Sequence, residues 1–222
     1  RRSATLTASF VGEAVAATES TQTFEQVLLV AKKIACLTTV SNELAEDAFV
    51  NLADDVAGEI AYAFAKLEDE CGFIGDGSAT YGGITGVSAS VGSAGQKDSN
   101  SGAFGSLGVD DLTGLMALLP AYADTPNTKF YMHKTVYHAN FEDLALSQGG
   151  STASEVRQGG QPQILGYPVE FVQVMPSTYS DGQVEALFGD LSLAASFGDR
   201  RSTTIQISDS ALNAFEQDEL AI

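Results

Sequence analysis

Apolar side chains recur at intervals of three and four residues between positions 51 and 77. The recurring positions are Leu52, Val56, Ile60, Phe64, Leu67, Cys71 and Ile74. This spacing places the large side chains along one side of an α-helix. Asp54 and Asp55 lie in the first turn, where the positive end of the helix dipole favours them, and Asn51 can cap the start. The pattern therefore predicts one long amphipathic helix.

The carboxyl end of this helix combines acidic residues with glycines. Gly75 and Gly77 are predicted to end the helix in left-handed conformations. Glu68, Asp69 and Glu70 crowd the negative end of the dipole, where carboxylates are unfavourable. Such a cluster is most often a solvated face; a bound divalent cation, or a Lys or Arg from another subunit, is the alternative.

The segment 24–37 fits either of two elements. Its apolar spacing is compatible with a helix, whereas its Val and Thr content and continuous apolar runs are typical of a strand covered on both faces. A strand of about twenty residues would span about 60 Å, while a compact body of this length has a radius of gyration of about 17 Å. If it is a strand, the arm must therefore project and bury its apolar face on something else.

The remainder of the chain mixes helical and strand patterns without a regular alternation, which predicts the α+β class. Helices are predicted at 110–119, ended by Pro120, and at 135–149, capped by Thr135; strands are predicted at 129–132, 164–175, 184–189, 193–197 and 202–208, with a returning strand at 215–222, and polar loops at 88–108 and 147–163.

The charge balance narrows the functional classes. The 222 residues include 11 basic and 29 acidic ones, giving a net charge of −18. Phosphate binding needs clustered Lys and Arg, so a nucleic-acid-binding surface is not expected. No apolar run is long enough to cross a bilayer. Cys36 and Cys71 are expected to be buried free thiols.

Few residues offer chemistry. His133 and His138 are five residues apart, which does not place them on one helix face as metal ligands, so structural roles are expected. Asp190 and Asp199 are predicted to form turns. We expect no catalytic residue, cofactor or metal; a carboxylate-based metal hydrolase using Asp69, Glu70 and Asp76 is the least favoured alternative.

The stretch from Phe24 to Gly86 resembles the major capsid proteins of tailed bacteriophages and prophages with the Hong Kong 97-type fold. The family pattern is an apolar strand with a Lys, an S-x-E-L-x-x-D turn, a long helix, and then E-D-x-x-F-x-x-G-D-G followed by a G-I turn. The matching residues are Ser41, Glu43, Leu44, Asp47, Glu68, Asp69, Phe73, Gly75, Asp76, Gly77, Gly83 and Ile84. A weaker likeness covers ILGYPVEF and the segment from Leu187 to Ser208.

The resemblance implies an architecture. Residues 4–40 would form the extended E-loop hairpin, in which Val11, Glu13 and Phe24 contact a neighbouring subunit. Residues 41–86 would form the P-domain with its spine helix, residues 87–199 the A-domain, and residues 200–222 the truncated return strands of the P-domain. On family grounds this favours a strand at 24–37.

The resemblance also implies a function and partners. The chain would be a structural subunit that assembles with copies of itself, as pentamers and hexamers, into an icosahedral virion capsid in the bacterial host cytoplasm. The shell would enclose DNA without specific binding. A portal, a scaffolding segment and a maturation protease would be further partners, and no membrane is involved. An encapsulin-type compartment shell is the alternative.

One family feature is not matched. Some members cross-link through a Lys on the E-loop and an Asn in the P-domain. Here the loop tip at 14–23 has no Lys, and Ala214 stands at the aligned place, with Asn213 beside it. We predict no isopeptide cross-linking.

Overall fold

The computed structural model describes residues 6–24, 26, 28–43, 52–99, 108–141, 162–178, 180, 182–209 and 218–222. The chain divides into two compact units. The smaller contains Arg1–Lys32 and Gly198–Ser202, and the larger contains Lys33–Phe197 and Thr203–Ile222.

The smaller unit reverses its direction near residue 14. Val15 N donates to Gly12 O at 3.2 Å, and Ala14 adopts a left-handed φ of 64°. Ser20 Oγ bonds both backbone groups of Thr7, at 3.3 Å each, so the two limbs lie side by side. None of the described residues of this unit is buried.

The described residues of 24–37 form neither of the two predicted elements. They contain no helix, and apart from a single bridging residue at Phe24 they make no strand ladder. A strand is stabilised by backbone hydrogen bonds to a neighbouring strand, and the described residues of this segment form no such ladder. The predicted strand over 24–37 is therefore not seen in the described residues.

The larger unit is built on a four-stranded mixed sheet. Its strands are β2 (Lys129–Met132), β3 (Gln163–Ile164), β4 (Tyr167–Phe171) and β5 (Ala186–Gly189), in the order β3-β4-β2-β5. β2 runs parallel to β4 and antiparallel to β5. The predicted strand at 129–132 is confirmed, and strand structure is confirmed within 164–175 and 184–189.

One face of the sheet carries the main core. Phe130 and Met132 are fully buried there beside Val169 and Ile164. They pack against α3 (Val109–Ala117) and against α4 (Lys134–Val136), which continues as a π-helical turn over Tyr137–Phe141. The apolar positions predicted for these helices contribute Leu112, Tyr137 and Phe141 to the core.

The opposite face carries a second cluster. Tyr131 and Leu187 alternate in direction with their neighbours, as strand geometry requires, and pack with Val172 and Met175. Phe73, Ile74 and several valines pack against this cluster. The sheet therefore holds the end of the long helix on one side and α3 on the other.

The long helix, α1, spans Leu52–Ile74, which confirms the prediction. Ile60 and Cys71 are buried, and Val56, Phe64, Leu67 and Ile74 are half-buried. Most of the remaining described positions of the helix are exposed, so the buried stripe is the one that the spacing predicts. Asn51, the predicted cap, lies outside the described residues.

A small second sheet joins distant parts of the larger unit. β1 (Thr39–Ser41) pairs antiparallel with β6 (Glu219–Ala221), and Ser208 bridges to Ala221. Part of the predicted returning strand is thus formed. The predicted strand at 202–208 is reduced to this bridge, and Ile205 and Ile207 are 53% and 63% exposed.

Three local predictions are wrong. Leu191–Ala194 forms a short helix, α5, inside the predicted strand at 193–197, because Asp190 accepts hydrogen bonds from Ser192 and caps a helix. Val87–Ser90 forms α2 inside the predicted loop at 88–108 because Val87 packs against the second cluster. His133, rather than Thr135, caps α4: its Nδ1 accepts from Thr135 N at 3.1 Å.

The two cysteines also differ. Both are free, and Cys71 is buried, but Cys36 is exposed. The prediction of two buried thiols is therefore wrong at Cys36, whose neighbours Ala35 and Leu37 are exposed as well.

Candidate interaction surfaces

The smaller unit exposes a large amount of apolar surface. Eight of its large apolar side chains are at least 44% exposed: Leu6, Phe10, Val11, Val15, Phe24, Leu28, Leu29 and Val30. Burying one such side chain is worth about 1.5–3 kcal/mol. Extensive apolar exposure on a protein is typical of an interaction surface.

The predicted contact residues of this unit all face solvent. Val11 is 44% and Phe24 74% exposed, and Glu13 is exposed at the turn that reverses the chain. Their accessibility is what a contact with another molecule requires. Whether they contact a neighbouring subunit stays a prediction.

The end of α1 is held by a close approach of two backbone segments. Gly86 N donates to Gly75 O at 2.8 Å, and Asp76 and Thr85 form an antiparallel bridge. A Cβ on Gly75 would lie 2.5 Å from Cys71 O and 2.7 Å from Ile84 O. Gly75 has no positive φ, so its predicted left-handed conformation is wrong. Glycine is required here because there is no room for a side chain.

Asp76 and Gly77 complete this turn. Asp76 Oδ1 accepts from Ser78 N at 2.8 Å, and the hydrogen bonds from Ser78, side chain first and backbone second, lower the pKa of this carboxyl. Gly77 has a φ of 81° and donates from its N to Ile84 O at 3.0 Å, as its predicted left-handed role requires. Asp76 therefore has a structural task in the turn.

The acidic cluster beside this turn points outward. Glu68 and Asp69 are exposed, and Glu70 lies 3.8 Å from Lys66 one turn earlier. The last turn of α1 has no basic residue. Burial, followed by the Glu70 and Glu68 charges, raises the pKa of the Cys71 thiol. Phe73 turns inward, with its ring centroid 6.3 Å from that of Tyr131.

The other family-matching residues fall near β1. Ser41 ends this strand opposite Glu219, and Glu43 is exposed. The neighbouring Asn42 holds the chain by donating from Nδ2 to Asp218 Oδ1 at 2.6 Å. Leu44 and Asp47 lie outside the described residues. The described residues that match the family pattern lie in two places, next to β1 and around the end of α1.

Two further carboxylates have defined environments. The sequence predicts only a turn at Asp190 and assigns no role to Glu185. Asp190 is buried and accepts from Thr125 Oγ1 at 2.6 Å and from Ser192 Oγ at 2.7 Å; these bonds, with Thr125 first, lower its pKa. Glu185 has both carboxylate oxygens buried without a hydrogen-bond partner in the described part of the chain. The sequence signal for Glu185 is its position directly before an apolar strand.

Within the described ranges, no group of three or more His, Cys, Asp or Glu side chains is arranged to hold a metal ion. Nor does any described helix combine the length and apolarity needed to span a membrane. The described geometry brings together no catalytic set; its distinguishing feature is uncovered apolar surface.

Comparisons with known proteins agree with this picture. The model of the phage capsid family matches residues 1–222. The fold is similar to the capsid of a native GTA (gene transfer agent) particle, computed with C5 symmetry: TM-score 0.60, 19% identity, 96% of this chain and 73% of that chain covered.

A second similar structure is the capsid of an empty GTA particle, also computed with C5 symmetry. Its TM-score is 0.51 and its identity 20%, with 85% of this chain and 63% of that chain covered. No curated protein matched the chain. The α+β content, the long helix and the fold of these two neighbours fit a capsid fold of the Hong Kong 97 type, and the family match extends over every residue: the chain belongs to the phage capsid family.

Proposed function

We propose that this chain is the major capsid subunit of a phage-derived particle and assembles with copies of itself into a closed shell. The family is one of structural proteins. Shells of this kind form when each subunit offers unlike surfaces to its neighbours and the contacts close into rings.

One observation carries the proposal. The smaller unit has eight exposed large apolar side chains and no buried residue among those described. A segment without a core of its own gains no burial energy to offset its ordering entropy. It therefore requires cover from another molecule, and in a capsid protein the available molecule is a second copy.

The domain assignments follow the same reasoning. Residues 4–40 form the E-loop, with Val11, Glu13 and Phe24 at the contact with a neighbour. Residues 41–86 form the P-domain around α1, residues 87–199 the A-domain, and residues 200–222 return to the P-domain. The division of the chain into two units supports a separate arm, although the smaller unit is Arg1–Lys32 with Gly198–Ser202.

Further partners are part of the proposal. Pentamers and hexamers of this chain build the shell; the similarity of the fold to a GTA capsid supports a role in such an assembly. The shell encloses DNA without binding it specifically, which the net charge of −18 supports. A portal, a scaffolding segment and a maturation protease act during assembly in the host cytoplasm.

The test is assembly of the purified chain and of two charge variants. Sedimentation velocity and electron microscopy of the unaltered chain should show rings or shells. Leu28→Asp places a charge on the apolar surface and should reduce assembly at least tenfold. Gln26→Asp adds the same charge at an exposed polar position two residues away and should leave assembly nearly unchanged.

Two results would contradict the proposal: a chain that stays monomeric at all concentrations, or equal assembly of both variants. Particles isolated from the native host should contain DNA. A cargo protein in place of DNA would identify a compartment shell of the encapsulin type instead.

The missing Lys at the loop tip gives a separate prediction. Assembled shells should run as single-subunit bands on denaturing gels, because no Lys at 14–23 is available to form an isopeptide bond. A ladder of covalent multimers would contradict it.

A further inference from the structure

Glu185 is an ionisable group in an apolar setting at the edge of the four-stranded sheet. It immediately precedes β5, which is an edge strand. Both of its carboxylate oxygens are buried, and in the described part of the chain neither has a hydrogen-bond partner. A buried carboxylate without a partner is strongly disfavoured in its charged form.

The residues on either side of Glu185 join the two apolar clusters of the larger unit. Val184 packs against the cluster of Tyr131, Val172, Met175 and Leu187. Ala186 packs against the cluster that contains Phe130 and Met132. Glu185 therefore lies between two residues that pack against different clusters of the larger unit.

Charged groups on the surrounding elements do not relieve this carboxylate. The titratable side chains of these elements are Lys129, Tyr131 and His133 on or next to β2, Tyr167 and Glu170 on β4, Asp54, Asp55, Glu59, Tyr62, Lys66, Glu68, Asp69, Glu70 and Cys71 on α1, Asp110 and Asp111 on α3, Lys134, Tyr137 and His138 around α4, and Asp190 before α5. Burial alone raises the pKa of Glu185 from its ordinary value of 4.5 to about 7.

The groups nearest along the strands make no hydrogen bond to the Glu185 carboxylate. His133, which continues β2 on the side facing Glu185 in the β2–β5 register, accepts a hydrogen bond from Thr135 N. Burial is the largest cause that raises the pKa of Tyr131. The charges of Lys129, Asp190 and Glu170 also act on this pKa. Glu185 is not among those charges.

We propose that Glu185 is a proton-operated latch on the sheet edge: with its carboxyl protonated, the 184–186 segment stays between the two clusters, and ionisation releases β5 from β2. The latch belongs to the subunit itself and does not depend on the proposed assembly. It is closed at mildly acidic pH and opens as the pH rises through neutrality.

The sign of the effect follows from proton linkage. The folded state holds the proton more tightly than the unfolded chain, so the unfolding equilibrium shifts toward unfolding as the pH rises from about 4.5 to about 7. The full loss over this range is on the order of 100-fold in the folded-to-unfolded ratio. Above pH 7 the contribution stays constant.

The test compares urea unfolding of the full chain with Glu185→Gln, which retains the shape of the protonated acid. The variant should match the unaltered chain near pH 4, below the ordinary pKa of the carboxyl, and exceed its folded-to-unfolded ratio on the order of 100-fold at pH 8. Glu59→Gln removes the same charge from an exposed position on α1 and controls for relief of the overall negative charge.

Amide hydrogen exchange locates the change. After correction for intrinsic rates, residues 184–189 should exchange faster above pH 7 than below it in the unaltered chain, and equally in Glu185→Gln. A pH-independent difference between the two proteins, or one equal to that of Glu59→Gln, would overturn the proposal.

A measurement on the unaltered chain covers the case in which the variant does not fold. The ¹³C chemical shift of the Glu185 side-chain carboxyl should titrate with a midpoint near pH 7. A midpoint near 4.5 would overturn the latch without any variant.

Discussion

At the scale of single residues, Gly75 and Gly86 allow two backbone segments to touch at the end of α1. A Cβ on Gly86 would lie 2.7 Å from Gly75 N and 2.8 Å from Phe73 C. Real side chains do not occupy such distances, so a larger residue at either position must move backbone. The contact fixes the direction in which the chain leaves the long helix.

This gives a paired prediction within one helix end. Gly75→Ala should destabilise the larger unit by about 3 kcal/mol, since its methyl group meets backbone oxygens that have little freedom to move. Gly72→Ala has nothing within 4 Å of the added Cβ and should stabilise the helix by about 0.5–1 kcal/mol. Urea unfolding of both variants measures the difference; equal effects would contradict the close-approach explanation.

Asp190 gives a pH-dependent prediction. Its pKa is lowered by the hydroxyls of Thr125 and Ser192, so the carboxylate stabilises the fold above its ordinary pKa and loses this effect as the pH falls through the lowered value. Asp190→Asn should lower the urea midpoint at pH 7 and have a smaller effect near pH 2.5. Asp98→Asn, at an exposed position, is the control and should change little at either pH.

Whether the sequence predicts the role of these glycines depends on how far along the chain their contact partners lie. Gly77 was predicted to be left-handed from its place after a helix, and its φ of 81° agrees. Gly75 was predicted to be left-handed for the same reason, but its lack of a side chain is required by the close approach of Cys71 O and Ile84 O. The contact with Ile84 lies nine residues away in sequence and leaves no local pattern, so the position was predictable and this part of its cause was not.

At the scale of elements, the stripe along α1 is the feature that the sequence predicts best. Long amphipathic helices carry their periodicity over several turns, so local exceptions do not obscure it. The buried Ile60 and the exposed Tyr62 lie two residues apart on opposite sides of the helix.

The two positions provide a direct test of this stripe. Ile60→Ala should cost about 2–4 kcal/mol, because it removes buried methyl groups and leaves a cavity. Tyr62→Ala should change the unfolding free energy by less than about 0.5 kcal/mol, as its side chain is 65% exposed. A larger loss for Tyr62→Ala would place the buried face on the other side.

Short elements were predicted poorly for a physical reason. α2 and α5 have four residues each, too few for periodicity to show. A tertiary contact of Val87 and the cap at Asp190 decide their conformation. The strand β2 was predicted with its observed bounds because it contains three consecutive apolar or aromatic residues, Phe130, Tyr131 and Met132, which the two clusters enclose on both faces.

At the scale of the whole molecule, charge is distributed unevenly. The smaller unit carries five basic and four acidic residues, so the larger unit carries a net charge of −19. Such bodies repel one another and polyanions at low salt. Association of copies at low salt must overcome this repulsion, and apolar contact can do so; the smaller unit offers eight exposed large apolar side chains for it.

Membership of the phage capsid family explains why the smaller unit exposes apolar side chains when the chain is considered alone. Exposed Phe10, Phe24 and Leu28 are costly in a monomer and reasonable in a subunit that completes its burial on assembly. Sequence periodicity leaves the segment 24–37 undecided between helix and strand, because its apolar runs fit both elements.

Hydroxyl-radical footprinting of the smaller unit, in assembled particles and in subunits dissociated from them, tests this claim most directly. If copies of the chain cover this surface, oxidation of Phe10, Phe24, Leu28 and Leu29 should fall at least fivefold on assembly. Equal oxidation of these four side chains in both samples would contradict the account.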